Sequence, residues 1–280
     1  MKLLKMLRYD INEGTIKYWY RYLFVVFVGI INCCVCHAQI SYVEEIYNMN
    51  TSMWEYGTWS MIGRPPYIYR ANGSDTFYLP YAWIMQYICL AFLIGGYVKQ
   101  DMSGYGVHFM YKSKKRTTWW LSKVIWCVFV NVIFFGISWL TYFSCSWINA
   151  GNNAFNINKP ILRTISNYVL SSENFERIAV VIILPFMVGV IHSLIQIIVS
   201  INWGDEIAMV IIGIILVISS YYSHPLLVSG YSMSSRYSNI GNIGEFQLLE
   251  YRFGLIYLCC VIILLCIIGG INVKRKNIYW

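Results

Sequence analysis

Charge is scarce in this sequence of 280 residues. Asp, Glu, Lys and Arg make up 12% of it, against roughly a quarter in an ordinary soluble domain, which excludes that class. Acids are scarcer than bases, 13 against 21, and no Asp or Glu falls inside a long apolar run. The paired membrane carboxylates of an acid–base enzyme are therefore missing. G-x-x-x-x-G-K-[ST] is missing too, so the chain carries no ordinary site for hydrolysing ATP. Neither G-x-S-x-G nor H-E-x-x-H occurs, which removes the usual marks of a hydrolase. The nine cysteines are an odd number, and all but Cys145 sit inside apolar runs, so no disulfide framework follows.

What the chain has instead is hydrophobic length. Residues 22–40, 81–98, 124–144, 178–201, 207–222 and 253–273 form six uncharged runs, each read as a helix crossing about 30 Å of hydrocarbon. A single mid-helix charge costs about 2.5–3.5 kcal/mol on insertion scales, so this exclusion is a strong signal. The expected fold is an all-α integral membrane protein with one transmembrane domain. Ahead of the first run, residues 1–20 set Leu4, Leu7, Ile11 and Tyr18 among Lys2, Lys5 and Lys17. That stripe reads as an amphipathic helix lying on the membrane surface. Loops 41–80, 145–177 and 223–252 then share one side, and both termini share the other. The side with the termini holds 14 of the 21 basic residues, which makes it the cytoplasmic one. The net charge of +8 points to anionic lipid before nucleic acid.

The segment Lys99–Lys123 interrupts two apolar runs near mid-chain. Lys112, Arg116 and Lys123, with Trp119 and Trp120, read as anchors at the lipid headgroups. By composition alone this loop fixes topology. A sharper reading is available if Ser103 caps a short helix, since Met102, Tyr105 and Phe109 then share a face. Gly104 and Gly106 would keep such a helix short and bent. A face of that kind, held level with the headgroups, suits docking of a soluble partner.

Three polar side chains inside the runs, Asn131, His192 and Gln196, form a candidate intramembrane polar track. Hydrogen bonding between helices is the plainer account of them. Cys33-Cys34-Val35-Cys36-His37 has the look of a metal cluster but no second ligand pair, so packing is preferred. Asp205-Glu206, between the fourth and fifth runs, suits the positive end of a helix.

This layout resembles the permease subunit of type-2 ATP-binding-cassette (ABC) exporters of Gram-positive bacteria. The likeness is carried locally by Phe77-Tyr78-Leu79-Pro80 with Trp83, and by Asp101-Met102-Ser103-Gly104-Tyr105-Gly106 with Trp119-Trp120-Leu121-Ser122-Lys123. Pro225-Leu226-Leu227 with Gly230-Tyr231-Ser232-Met233 and Arg236 adds to it. The resemblance implies a multi-pass protein of the bacterial cytoplasmic membrane that moves a peptide, lipid-like or drug-like substrate. It implies a separate ABC ATPase subunit that holds the ATP and Mg, a second permease copy or paralogue, and no cofactor on this chain. It assigns docking of the ATPase to a coupling helix with Asp101, Ser103, Gly104, Tyr105, Gly106, His108 and Phe109. Two other readings compete. One is a sensor or peptide-immunity protein that transports nothing, and the other is a polytopic membrane enzyme.

Overall fold

Each apolar run becomes a helix, and successive helices turn back on one another. The computed structural model describes residues 2–65, 77–104, 106, 116–166, 169, 173–237 and 249–275, and no strand occurs among them. Helix α1 (Lys2–Gly14) is followed by α2 (Arg21–Tyr47), α3 (Met53–Ser60), α4 (Tyr81–Ile94) and α5 (Tyr97–Ser103). Then come α6 (Arg116–Ala150), α7 (Lys159–Ile165), α8 (Asn174–Trp203), α9 (Asp205–Tyr221) and α10 (Tyr251–Arg275). Among the described residues, five helices are long and apolar enough to cross a membrane: α2, α4 counted through α5 to Met102, α6, α8 and α10. The chain is an all-helical multi-pass membrane protein. Helix α9 is as apolar but has 17 residues, about 25 Å at 1.5 Å per residue.

The direction of the helices alternates. Arg21 at the start of α2 donates to the Gly95 carbonyl past the end of α4 (3.1 Å), while Gln39 meets Tyr81 at the start of α4 (3.2 Å). Asn50 beyond α2 reaches the Asn149 carbonyl in the last turn of α6 (2.7 Å). Arg116 at the start of α6 donates to the Lys274 carbonyl in the last turn of α10 (2.9 Å). The end of α10 therefore lies beside the start of α6, at the end of the bundle where α1 packs on α6, here the α1 end. Helices α3 and α7 pack together at the far end.

Helix α8 is the core of the bundle and packs against α4, α6, α9 and α10. It is apolar on nearly every face, which marks a helix enclosed on all sides rather than an amphipathic one. Pro185 has no N–H, and its ring crowds the carbonyl four residues back. A π turn at Ala179–Ile183 takes up that strain just before the proline. Helix α10 is the outermost, with Gly254, Leu258, Gly269 and Val273 buried along one stripe.

Three of the boundaries that differ from the sequence expectation have an identifiable reason. The second run breaks at Gly96, whose φ of 86° lies in the region that favours glycine, and the chain restarts as α5. Helix α2 runs on to Tyr47 because Glu44 finds its hydrogen-bond partners locally. Its carboxylate accepts the Thr51 N–H (2.8 Å) and lies 2.8 Å from His37 Nδ1. Helix α6 begins at Arg116 instead of 124, and so includes Lys123, a charge that the protein encloses.

Two buried charges order the far end. Arg236 donates to the carbonyls of Ser219, Ser220 (3.2 Å) and Tyr222 (2.9 Å), satisfying the end of α9. Its Nε reaches the Arg64 carbonyl (3.2 Å), so the same guanidinium ties down the loop after α3. Burial draws Arg236 down to about 10, which leaves it a cation at neutral pH. Glu55 is fully enclosed and accepts the backbone N–H groups of Ser52 and Asn158, joining α3 to the start of α7. Burial raises its carboxyl above the usual range.

Candidate functional site

At the α1 end a single cation sits between two carboxylates from different helices. Lys123 Nζ lies 2.6 Å from Asp10 Oδ1 on α1 and 2.7 Å from Asp101 Oδ2 on α5. Lys123 is fully enclosed, and Asp10 and Asp101 are 3% and 6% exposed. Neutral donors complete most of the shell. The Tyr97 hydroxyl donates to Asp10 Oδ1 (2.7 Å), Ser122 donates to Asp10 Oδ2, and Trp119 Nε1 donates to Asp101 Oδ2 (3.0 Å). The faces of Tyr97 and Trp119 flank the ammonium at 4.4 and 5.2 Å from their ring centres. Two carboxylates face one cation, and Asp101 Oδ1 has no hydrogen-bond partner among the described residues.

Local sequence explains how the cluster forms. Helix α1 buries Met6 and Asp10 one turn apart and leaves Leu4, Lys5 and Arg8 exposed, so its inner face delivers Asp10 to α6. The Gly96 break aims α5 away from α4 and brings Tyr97 and Asp101, also one turn apart, to the same place. Gly106 then passes so close to the Asp101 carboxylate that any Cβ there would overlap it. Two ion pairs that share Lys123 thus join α1, the short helix after the glycine break and the long helix α6.

The other candidate residues fall into distinct places. Ser103 ends α5 and Gly104 follows it, whereas Tyr105, His108, Phe109 and Lys112 lie outside the described residues. The headgroup-anchor assignment needs correcting for three positions. Lys123 is saturated inside the protein, Trp119 bonds Asp101, and Trp120 Nε1 donates to the Cys266 carbonyl of α10 (2.8 Å). A basic and aromatic stretch before an apolar run has the composition of an interface, but here the bundle itself supplies the partners. Arg116, half-buried, holds the end of α10.

Asn131, His192 and Gln196 are all buried around α8 but each bonds a different neighbour. Asn131 Nδ2 donates to Ser193 Oγ (3.0 Å), His192 Nε2 pairs with Ser229 Oγ (2.8 Å), and Gln196 Nε2 donates to the Ala91 carbonyl (2.8 Å). They fasten α6, the segment after α9, and α4 to α8, in place of a continuous track. Cys33 and Cys36 pack in the far-end apolar cluster with Tyr56 and Tyr142. Asp205 begins α9 and accepts from Ser200.

A family model described as protein of unknown function (DUF2705) matches residues 25–279. The chain belongs to that family. The match takes in α4 to α10, and so Asp101 and Lys123, and begins after α1 and its Asp10. No curated protein and no solved structure matches the chain.

Proposed function

We propose that the chain is the membrane-spanning permease subunit of an ABC-type exporter in a bacterial cytoplasmic membrane. It would cross the membrane six times, with α9 as the fifth span and both termini in the cytoplasm. A separate ATPase would bind and hydrolyse ATP, and a second permease copy or paralogue would complete the pathway for a peptide, lipid-like or drug-like substrate. The observation that carries this reading is α5 and its lock. A short helix, set off from α4 by the break at Gly96, lies at the basic end of the bundle, fixed by the Asp101–Lys123 pair to the span that follows. A loop that only set topology would need its charges and not a rigid mount. A helix that receives force from an ATPase needs the mount, because a slack segment transmits nothing to α6.

The test is recovery of the cognate ATPase on the purified chain in mild detergent. Tyr105→Ala with Phe109→Ala removes two aromatic contacts, each worth about 2 kcal/mol at an interface. Recovery should fall about a hundredfold or more. Lys114→Gln with Lys115→Gln should leave it unchanged. Recovery by the aromatic double variant equal to wild type would end the docking assignment.

A further inference from the structure

Beside the ion cluster lies a cavity of about 360 Å³ lined by α1, Asp101 of α5, Gly106 and Trp119. Its floor includes Asp10, Asp101 and Trp119, and its α1 wall carries Lys5, Arg8 and Asn12. The floor has an excess negative charge, because Lys123 is shared by two carboxylates and Asp101 Oδ1 is buried with no partner among the described residues. A buried carboxylate oxygen without a donor is costly, so the site is incomplete as it stands. The wall has the opposite excess, since Lys5 and Arg8 are exposed.

These two charges constrain what fits. A simple cation drawn to Asp101 would sit beside Lys5 and Arg8, and a simple anion drawn to those two would sit beside both carboxylates. A molecule with an ammonium and a phosphate a few ångströms apart meets neither objection. Helix α1 also presents Leu4, 70% exposed, on the same turn as Lys5 and Arg8, and Trp19 beyond its end is 64% exposed. Exposed apolar side chains next to cationic ones suit an element at headgroup depth. We infer that this cavity binds the headgroup of an ethanolamine-type phospholipid, its primary ammonium on Asp101 and its phosphate on Lys5 and Arg8. This goes beyond the transport proposal and does not depend on it.

The experiment is native mass spectrometry of the full chain in detergent with added phosphatidylethanolamine, phosphatidylglycerol or phosphatidylcholine. Phosphatidylglycerol has no ammonium, and the quaternary ammonium of phosphatidylcholine has no N–H to donate. The first molecule of phosphatidylethanolamine should be retained about tenfold better than either, a difference of about 1.4 kcal/mol. Asp101→Asn should abolish that preference. Because that change also disturbs Lys123, Lys5→Gln with Arg8→Gln gives a second reading at exposed positions, and there retention should fall about tenfold. Equal retention of the three lipids by wild type, or unchanged binding by the Lys5/Arg8 variant, would overturn the assignment. Binding of soluble O-phosphoethanolamine without selection among the lipids would also overturn it, in favour of a free small molecule.

Discussion

Lys123 and Asp101 meet at 2.7 Å with both side chains enclosed, although they lie on opposite sides of the loop that separates α5 from α6. Enclosure decides how this pair responds to mutation. Exposed ion pairs are worth about 0–1 kcal/mol, whereas removing one member of a buried pair costs about 3–5 kcal/mol by stranding the other charge. Lys123→Met strands two carboxylates and should lower thermal stability by at least that range. Adding Asp10→Asn and Asp101→Asn to it should recover most of the loss. Unfolding in detergent, followed by circular dichroism, measures both; a triple variant no better than Lys123→Met would show that Lys123 acts through packing and not charge.

Arg236 makes a parallel prediction at the far end. It serves carbonyls of α9 and of the loop after α3, with no carboxylate among its bonded partners. Arg236→Met leaves those carbonyls without donors and should cost about 2–4 kcal/mol, given about 1–3 kcal/mol for each buried group left unpaired and partial rescue by water. Arg236→Lys should recover less than half, because one ammonium cannot span the carbonyls that a planar fork reaches. Melting temperatures of the two variants provide the comparison.

The helical class and most of the long helices were legible in the sequence because an uncharged run has few other outcomes. The ends of the helices were not. A rule that begins a span after the last charge places α6 at 124, but Lys123 is neutralised by Asp10, 113 residues earlier in the chain. Local composition holds no trace of a partner so distant. Trp119 and Trp120 misled for the same reason, since their ring N–H groups find acceptors on α5 and α10 and not in headgroups. One signal was available. Lys123 adjoins an apolar run, with Asp10 and Glu13 in the first helix and Asp101 in the loop, a composition compatible with an internal ion cluster. Asp10, Tyr97 and Ser122 were missed because nothing local distinguishes them.

Glu55 gives a pH dependence whose sign follows from burial. Its carboxyl is raised above the ordinary range in the folded chain, so folding favours the protonated form. Its contribution is fully present below the unfolded carboxylate value and is lost as pH rises through the folded one. Wild type should therefore be most stable relative to Glu55→Gln near pH 4, with the gap narrowing towards pH 7. Melting temperatures of both proteins across that interval test the sign; a gap that widens with pH would mean that the Ser52 and Asn158 N–H bonds outweigh burial.

Orientation can be tested at described residues. The first and last helices and the α8–α9 turn share the α1 end, which Gly204 confirms by its approach to Lys99, and Glu173 precedes α8 at the other end. Lys5, Arg8, Lys17, Lys99 and Arg116 gather at the α1 end, so the positive-inside rule predicts that this end faces the cytoplasm. Glu206 and Glu173 are both exposed and so suit single cysteines, placed in a background with the exposed thiols Cys34, Cys259 and Cys260 replaced. In intact cells an impermeant maleimide should label Glu173→Cys and not Glu206→Cys, and both should react after permeabilisation. The opposite pattern would turn the bundle over, place α5 outside the cell, and remove it from the reach of any ATP-hydrolysing partner.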